Sequence, residues 1–238
     1  MNFRIIENDE EFTYAEFLTI EETCFPKDPY RFEQFKDIQN HFYLVARNKH
    51  KAVGYCYTKM HGDSLYIHRI AVLDEYRRQG VGKAMMERTI EHAENCMYSS
   101  CMLTVDAVNI PAYELYIKMG FKELQTKFRY SFSANVFERA KDVYCVKKGD
   151  LQMFDVFFYI EDERIGSCRY NVSVGGCKDF RIKDPAKYVF EALSALAASI
   201  IHESGKIYVM TDDADVANVL NRLRFENKKV MKEMVLDL

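Results

Sequence analysis

Between Ile70 and Lys83 the sequence runs Ile-Ala-Val-Leu-Asp-Glu-Tyr-Arg-Arg-Gln-Gly-Val-Gly-Lys. An apolar, β-branched segment gives way to a polar turn, then to two glycines and a pattern that continues as a helix. The start of a helix presents unpaired backbone N–H groups and the positive end of its dipole. Glycine lets a large anion come close to that backbone. Gly80 and Gly82, with Arg77, Arg78, Gln79, Val81 and Lys83 around them, therefore make a candidate phosphate cradle. A Gly-x-Gly step alone names no ligand, so its meaning depends on the elements that position it.

Those elements can be read from the periodicity. Phe3 to Ile6 suggests a short opening strand, followed by helices over about Glu10 to Cys24 and Arg31 to Ile38. The two prolines of Phe25-Pro26-Lys27-Asp28-Pro29 break the chain between them. Phe42 to Ala46 and Ala52 to Met60 form an expected hairpin around the polar turn Asn48 to Lys51. Ser64 to Val72 is expected as a strand, with Leu65, Ile67, Arg69 and Ala71 on one face and Tyr66, His68, Ile70 and Val72 on the other. A helix over Val81 to Met97 and a strand over Cys101 to Asp106 come next. Asn109-Ile110-Pro111 opens a further helix that ends at Met119-Gly120. Phe121 to Tyr130 and Asp142 to Lys147 read as closing strands, joined by the longer connection Ser131 to Lys141. This order predicts an α/β class: a mixed sheet with helices on its faces.

Composition narrows the partners. A chain of 238 residues that is 48% hydrophobic can bury a sizeable core. A net charge of −3 gives no expectation of nucleic acid or an anionic membrane surface. Seven scattered cysteines without a Cys-x-x-Cys pair point to a reducing, cytoplasmic setting and to no metal site. The N-terminal residues lack the apolar core of a signal peptide, and Ala192 to Ile201 is too short to span a bilayer.

The first 147 residues resemble the GNAT superfamily of acetyl-CoA-dependent N-acetyltransferases. Arg77-Arg78-Gln79-Gly80-Val81-Gly82, directly after an Ile-Ala-Val strand end, matches the family's pyrophosphate loop. Asn109-x-x-Ala112-x-x-Leu115-Tyr116-x-x-Met119-Gly120-Phe121 matches its second segment, and the element order is also the family's. The resemblance implies acetyl-CoA as co-substrate, no metal, and direct attack of an amine on the thioester. It implies that Ile70, Ala71 and Val72 pair with the pantetheine arm as an added pseudo-strand would. It places Asn109 and Ala112 at cofactor-contact positions and Tyr116 where many members supply the acid for the departing thiolate. Around Phe25-Pro26 the chain is also similar to N-terminal acetyltransferases of the ribosomal-protein type. Many of these carry a glutamate five residues before the asparagine, where this chain has Thr104. The arylalkylamine N-acetyltransferases place a histidine where His68 stands, and an imidazole suits the task of a base. The expected acceptor is a primary amine, either a small molecule or a peptide N-terminus or lysine; the alternative is a non-catalytic acyl-CoA-binding regulatory protein.

Residues 148 to 238 echo the first half. Phe158 to Cys168 mirrors the pattern of Tyr43 to Cys56, and Asp213 to Phe225 repeats the spacing of Asn109 to Phe121. Between them a strand over Val172 to Cys177, a helix over Pro185 to Ser204 capped by Gly205, and a strand over Ile207 to Met210 are expected, with Val230 to Leu238 closing. Arg181-Ile182-Lys183-Asp184-Pro185 stands where the glycine loop would be, and Leu220 replaces the tyrosine. The expectation is a GNAT domain over 1–147, then a degenerate, shortened GNAT-like unit over 148–238. That second unit would bind no coenzyme A and would wall the amine site, extend the sheet or form a homodimer surface.

Overall fold

The computed structural model describes residues 3–27, 29–133, 137, 142–151, 153–172, 175–199, 206–223 and 227–238. The chain divides into two units. The first comprises Met1–Val105, Ile110–Leu124 and Glu233–Leu238, and the second Asp106–Asn109 and Gln125–Lys232.

The first unit opens with β1 (Arg4–Glu7), α1 (Tyr14–Cys24) and α2 (Phe32–Gln39). Strands β2 (Tyr43–Asn48), β3 (Lys51–His61) and β4 (Ser64–Val72) come next, then α3 (Val81–Asn95), β5 (Ser100–Asp106) and α4 (Ile110–Lys118). Helix α1 starts at Tyr14 because Thr13 and Glu16 form a reciprocal capping box. Strands β1 to β4 pair antiparallel in sequence, and α3 carries the chain across to β5, parallel to β4. One face packs Leu44, Val53, Leu65, Ile67, Met85, Leu103 and Tyr116 beneath α3 and α4. The other packs Phe12, Phe17, Ile20, Phe35, Tyr55 and Tyr57 with α1 and α2.

Two irregularities in β4 set up the site. Tyr57 pairs with Arg69 and Thr58 with Ile67, so His68 is an extra, bulged residue. The bulge corrects the expected alternation. Leu65, Ile67, Ile70 and Val72 share the α3 face, whereas Ala71 packs on the α1–α2 side. A one-residue insertion exchanges the two faces for everything beyond it. The second irregularity is a split. Strands β4 and β5 pair only from Ser64–Ser100 to Ile67–Leu103, although they run on to Val72 and Asp106.

The second unit contains the larger part of β6 (Lys122–Ser133), then β7 (Val143–Gly149), β8 (Met153–Ile160), β9 (Glu163–Asn171) and β10 (Gly176–Ile182). Helix α5 (Pro185–Ser199), β11 (Lys206–Thr211) and α6 (Ala214–Leu220) precede the last strand, β12 (Asn227–Asp237). Strands β7 to β10 pair antiparallel in sequence, and α5 leads to β11, parallel to β10. This repeats β1-β2-β3-β4-α3-β5, with α6 in the place of α4. Only three residues separate β7 from β8, so nothing stands for α1 and α2.

The division between the units falls at Leu124–Gln125. Phe128, Tyr130 and Phe132 on β6 feed the core of the second unit, as do Val143 and Cys145 on β7. The first unit takes its last strand from the end of β12, where Met234 and Leu236 complete the core beside β5. Val172 to Cys177 is not one strand: Gly175, at φ 67°, turns the chain, and β10 begins at Gly176. Gly205, Arg224 and Phe225, and most of the connection 131–141, lie outside the described residues.

Candidate active site

Gly80 adopts φ 85° and stands immediately before α3. Only a residue without a side chain takes that conformation without strain. The first helical bond runs from the Ala84 N–H to the Gly80 carbonyl, at 2.9 Å, so the amides up to Lys83 have no acceptor inside the helix. The space beside them is open. A Cβ added at Gly80 would meet nothing within 4 Å, and one at Gly82 would find Leu115 at 3.8 Å and Val72 at 3.9 Å. A row of free donors beside open space fits a pyrophosphate.

The surrounding side chains divide into two groups. Arg77 Nε donates to the Val72 carbonyl at 2.9 Å and its Nη1 pairs with Asp74 at 2.8 Å, while Gln79 Nε2 donates to the Glu75 carbonyl at 2.7 Å. Those two side chains shape the turn. Lys83 pairs with Glu87 at 2.5 Å. Arg78, exposed and at φ 57°, is the loop cation without an ion-pair partner among the described residues. Ile70, Ala71 and Val72 lie on the stretch of β4 past the split, paired with β3 on one edge and unpaired by β5 on the other. Apart from the Val72 carbonyl, which Arg77 and Cys24 engage, that edge can receive a chain of amides. Ala112 packs beside the core under α4. The Asn109 N–H bonds the Asp106 carbonyl at 2.8 Å.

Tyr116 is 5% exposed, with its ring in the α3-side core 5.9 Å from Phe121. Burial, with Cys56 nearby, raises its pKa and keeps the phenol protonated. No hydrogen bond engages its hydroxyl among the described residues, so the proton is available to a ligand.

On the opposite face, around the bulge, a cluster assembles that periodicity alone does not foretell. His68 Nδ1 is 3.1 Å from the Tyr30 hydroxyl, and its ring lies 5.4 Å from Tyr57 and 6.0 Å from Tyr66. Desolvation by the surrounding rings, with Lys59 and Arg69 close by and Asp37 opposing, lowers its pKa to about 4, although the residue as a whole remains exposed. Asp37 ties down that wall. It accepts from the Tyr57 hydroxyl at 2.6 Å and pairs with Lys59 at 2.7 Å. Arg69 and the fully buried Glu21 form a 2.6 Å ion pair, and the guanidinium lies 3.6 Å from the Phe25 ring centre and 3.9 Å from that of Tyr30. Tyr55 donates to the same carboxylate at 2.5 Å. This clamp holds the proline-broken segment over β4. In the chain Glu21 and Arg69 stand only as charges 48 residues apart. Thr104, where the ribosomal-type enzymes carry glutamate, bonds the Tyr66 hydroxyl at 2.5 Å.

Among the described residues no cluster of three metal-ligating side chains occurs, and no helix is long and apolar enough to cross a membrane. An open concavity of about 320 Å³ lies in the second unit, lined in part by Arg164, Arg181, Lys183 and Asp213. Two of its cations are already engaged: Arg181 pairs with Asp212 at 2.8 Å and Lys183 pairs with Glu163. Asp213 caps α6.

Residues 10–121 match the family model described as the acetyltransferase (GNAT) family. The [ribosomal protein bS18]-alanine N-acetyltransferase of Escherichia coli K12 is 32% identical over 80 residues, which cover 34% of this chain and 54% of that protein. The chain thus spans about half the length of this curated relative. The whole chain is similar in fold to a GCN5-related N-acetyltransferase from Sphaerobacter thermophilus, with a TM-score of 0.72 at 9% identity, covering 98% and 95% of the two chains. It is equally similar to a tandem GNAT protein from the clavulanic acid biosynthesis pathway, with a TM-score of 0.71 at 9% identity and coverage of 99% and 98%. The fold is therefore a tandem GNAT fold.

Proposed function

With a GNAT acetyltransferase domain over residues 10–121 as premise, we propose that the protein transfers the acetyl group of acetyl-CoA to a primary amine by direct attack on the thioester. The observation that carries this reading is the split between β4 and β5, with the Gly80–Lys83 amides at one end and the two candidate catalytic faces on either side of it. The α3-loop amides and Arg78 hold the pyrophosphate, and the unpaired edge of Ile70 to Val72 receives the pantetheine amides. Acetyl-CoA supplies the activated acyl group; the chain supplies position and protons. Tyr116, protonated by virtue of its burial, donates to the departing sulfur from the α3 side. The amine arrives from the α1–α2 side, past a wall of Tyr30, Tyr57, Tyr66 and His68. His68, neutral, accepts a hydrogen bond from the amine or a water next to it.

The Escherichia coli relative is named for an alanine of a ribosomal protein. A peptide N-terminus is accordingly one acceptor class to try, and small aromatic or aliphatic amines, which suit the ring-lined wall, are the other. The test is release of free thiol from acetyl-CoA across a panel of both classes. Turnover with at least one amine is expected. Binding of acetyl-CoA without thiol release from any amine would replace this reading by a non-catalytic acyl-CoA-binding role.

A further inference from the structure

Glu233 stands near the end of the chain, yet it belongs to the first unit. Two backbone bonds fix its register. The Leu238 N–H bonds the Ser99 carbonyl at 3.1 Å, and the Ala107 N–H bonds the Val230 carbonyl at 2.8 Å. Strands β12 and β5 therefore run antiparallel, and counting inward from either bond sets Glu233 opposite Thr104. The pair is of the non-hydrogen-bonded kind, in which side chains approach most closely. The faces agree with this register. Met234 and Leu236 share the α3-side core with Leu103 and Cys101, so Glu233 and Thr104 point to the other side, where the amine arrives. Thr104 is the first residue of β5 past the split, and it bonds Tyr66. The negative charge of Glu233 acts on Tyr66 to raise its pKa, second in that direction to burial, while the bond to Thr104 lowers it. At 7% exposure, Glu233 is a carboxylate held inside the structure at the crotch of the split.

We propose that Glu233, delivered to the first unit by the last strand of the chain, takes the proton of the attacking amine. The inference rests on the acetyl-transfer reading above. Charge favours Glu233 over His68 for this step. A proton on His68 would add a positive charge beside Lys59 and Arg69, whereas a proton on Glu233 neutralises a negative one. The carboxylate also attracts the ammonium that those cations repel. In the step, Glu233 accepts one proton from the ammonium, and the freed lone pair forms the C–N bond. The C–S bond breaks, and the sulfur takes the proton of Tyr116. As the carbonyl re-forms, the nitrogen gives up a second proton, which restores the phenol; solvent removes the first from Glu233. The carboxylate thus sits on the strand facing Thr104, at the end of the β4–β5 pairing.

The test compares wild type, Glu233→Gln and the double variant Glu233→Gln/Thr104→Glu, with thiol release and the acetyl-CoA melting shift measured on each. Glu233→Gln should lower kcat by about 100-fold or more with KM and the melting shift little changed, the magnitude typical of a lost general base. Restoring a carboxylate on the facing strand in the double variant should recover at least a tenth of the lost rate. A kcat for Glu233→Gln within a factor of three of wild type, or a loss confined to KM, would overturn the role. If Glu233→Gln loses its fold, judged by its melting transition, Glu233→Asp replaces it. A folded Glu233→Asp at full rate would overturn the role equally, because the shortened carboxylate cannot reach. A wild type that releases no thiol at all would instead remove the acetyl-transfer reading.

Discussion

The two units share a scaffold and differ at the places where chemistry needs atoms. In both, four antiparallel strands lead through a helix to a parallel fifth, and in both the fourth strand bulges and separates from the fifth. The second bulge lies between Lys178 and Arg181, with Asp179 at φ 55°. Strands β10 and β11 pair only at Gly176–Tyr208 and Cys177–Val209. Beyond the split the resemblance ends. In the second unit Thr211 Oγ1 donates to the Phe180 carbonyl at 2.8 Å and Asp212 pairs with Arg181, so side chains of the unit itself staple the gap. Asp184 and Pro185 replace the glycines before α5, and a proline offers no N–H. Leu220, fully buried, stands for Tyr116. Helices α1 and α2 have no equivalent between β7 and β8. A split sheet is thus a property of the fold, whereas a cofactor site depends on which groups are left unsatisfied at the split.

That comparison breaks most directly at the loop. A Cβ at Gly82 makes only ordinary contacts with the Leu115 and Val72 side chains, so Gly82→Trp should leave the fold intact while abolishing both turnover and the stabilisation by acetyl-CoA, about 2.7 kcal/mol at a ligand concentration 100 times Kd. Arg181→Ala in the second unit should leave both unchanged. Titration calorimetry should return one acetyl-CoA per chain. Two equivalents, or a melting shift that survives in Gly82→Trp, would mean that the second split is also a site.

A smaller loss is expected at the acid. Tyr116→Phe should lower kcat by about 10²- to 10⁴-fold with acetyl-CoA affinity unchanged, since the ring keeps its packing and only the proton is removed. Leu220→Tyr should confer nothing on the second unit. An unchanged rate in Tyr116→Phe would reduce Tyr116 to a core aromatic.

The turn at Gly80 and the repeat were legible because each is written locally. Gly80 needs a left-handed conformation, and the apolar period of α3 begins beside it. The faces of β4 were not legible. A bulge at His68 has no composition signal, and it turns Ile70 and Val72 away from the histidine with which plain alternation grouped them. The exchange of strand ends was hidden for another reason. The alternation of β12 says that it pairs, with one face apolar, but not with which strand. Glu233 therefore read as one more charge near the end of the chain, and its place opposite Thr104 exists only once β12 lies beside β5. The Glu21–Arg69 clamp is hidden in the same way, since its partners are 48 residues apart.

That clamp offers the next prediction, because the second unit lacks the helix that carries it. Glu21 is fully buried and Arg69 nearly so. Glu21→Gln would leave the Arg69 guanidinium in apolar surroundings without its counter-charge. A loss of about 3–5 kcal/mol is expected, as for other buried pairs with one partner removed. Urea denaturation would report it as a lowered midpoint. The double variant Glu21→Gln/Arg69→Met should recover much of the loss, since it removes the stranded charge. A Glu21→Gln midpoint equal to wild type would show that Tyr55, Phe25 and Tyr30 hold the segment without the ion pair.

The smallest effect separates the units by their protons. The five histidines among the described residues, His41, His50, His61, His68 and His92, all lie in the first unit. His68 has a folded pKa of about 4 against an ordinary value of 6.5, lowered first by burial and then by Lys59 and Arg69. Between those two values the unfolded chain holds a proton that the folded chain refuses, so His68 opposes folding increasingly as pH falls through the window. Part of the ring faces solvent, which reduces the effect. His68→Gln keeps a polar group near Tyr30 but cannot titrate. Its stability relative to wild type should therefore rise as pH drops from about 7 to about 4.5, with the change concentrated below the ordinary histidine pKa of about 6.5. Carboxylates away from His68 weaken both proteins alike at the acid end and cancel in the difference; Asp37, which acts on His68 directly, is held low by Lys59 and Tyr57 against the opposing effect of burial. A wild-type-minus-variant difference that stays flat across the range would mean that the bulge leaves His68 hydrated enough to titrate as it does in the unfolded chain. The neutral imidazole in the amine wall would then be neutral only above its ordinary pKa.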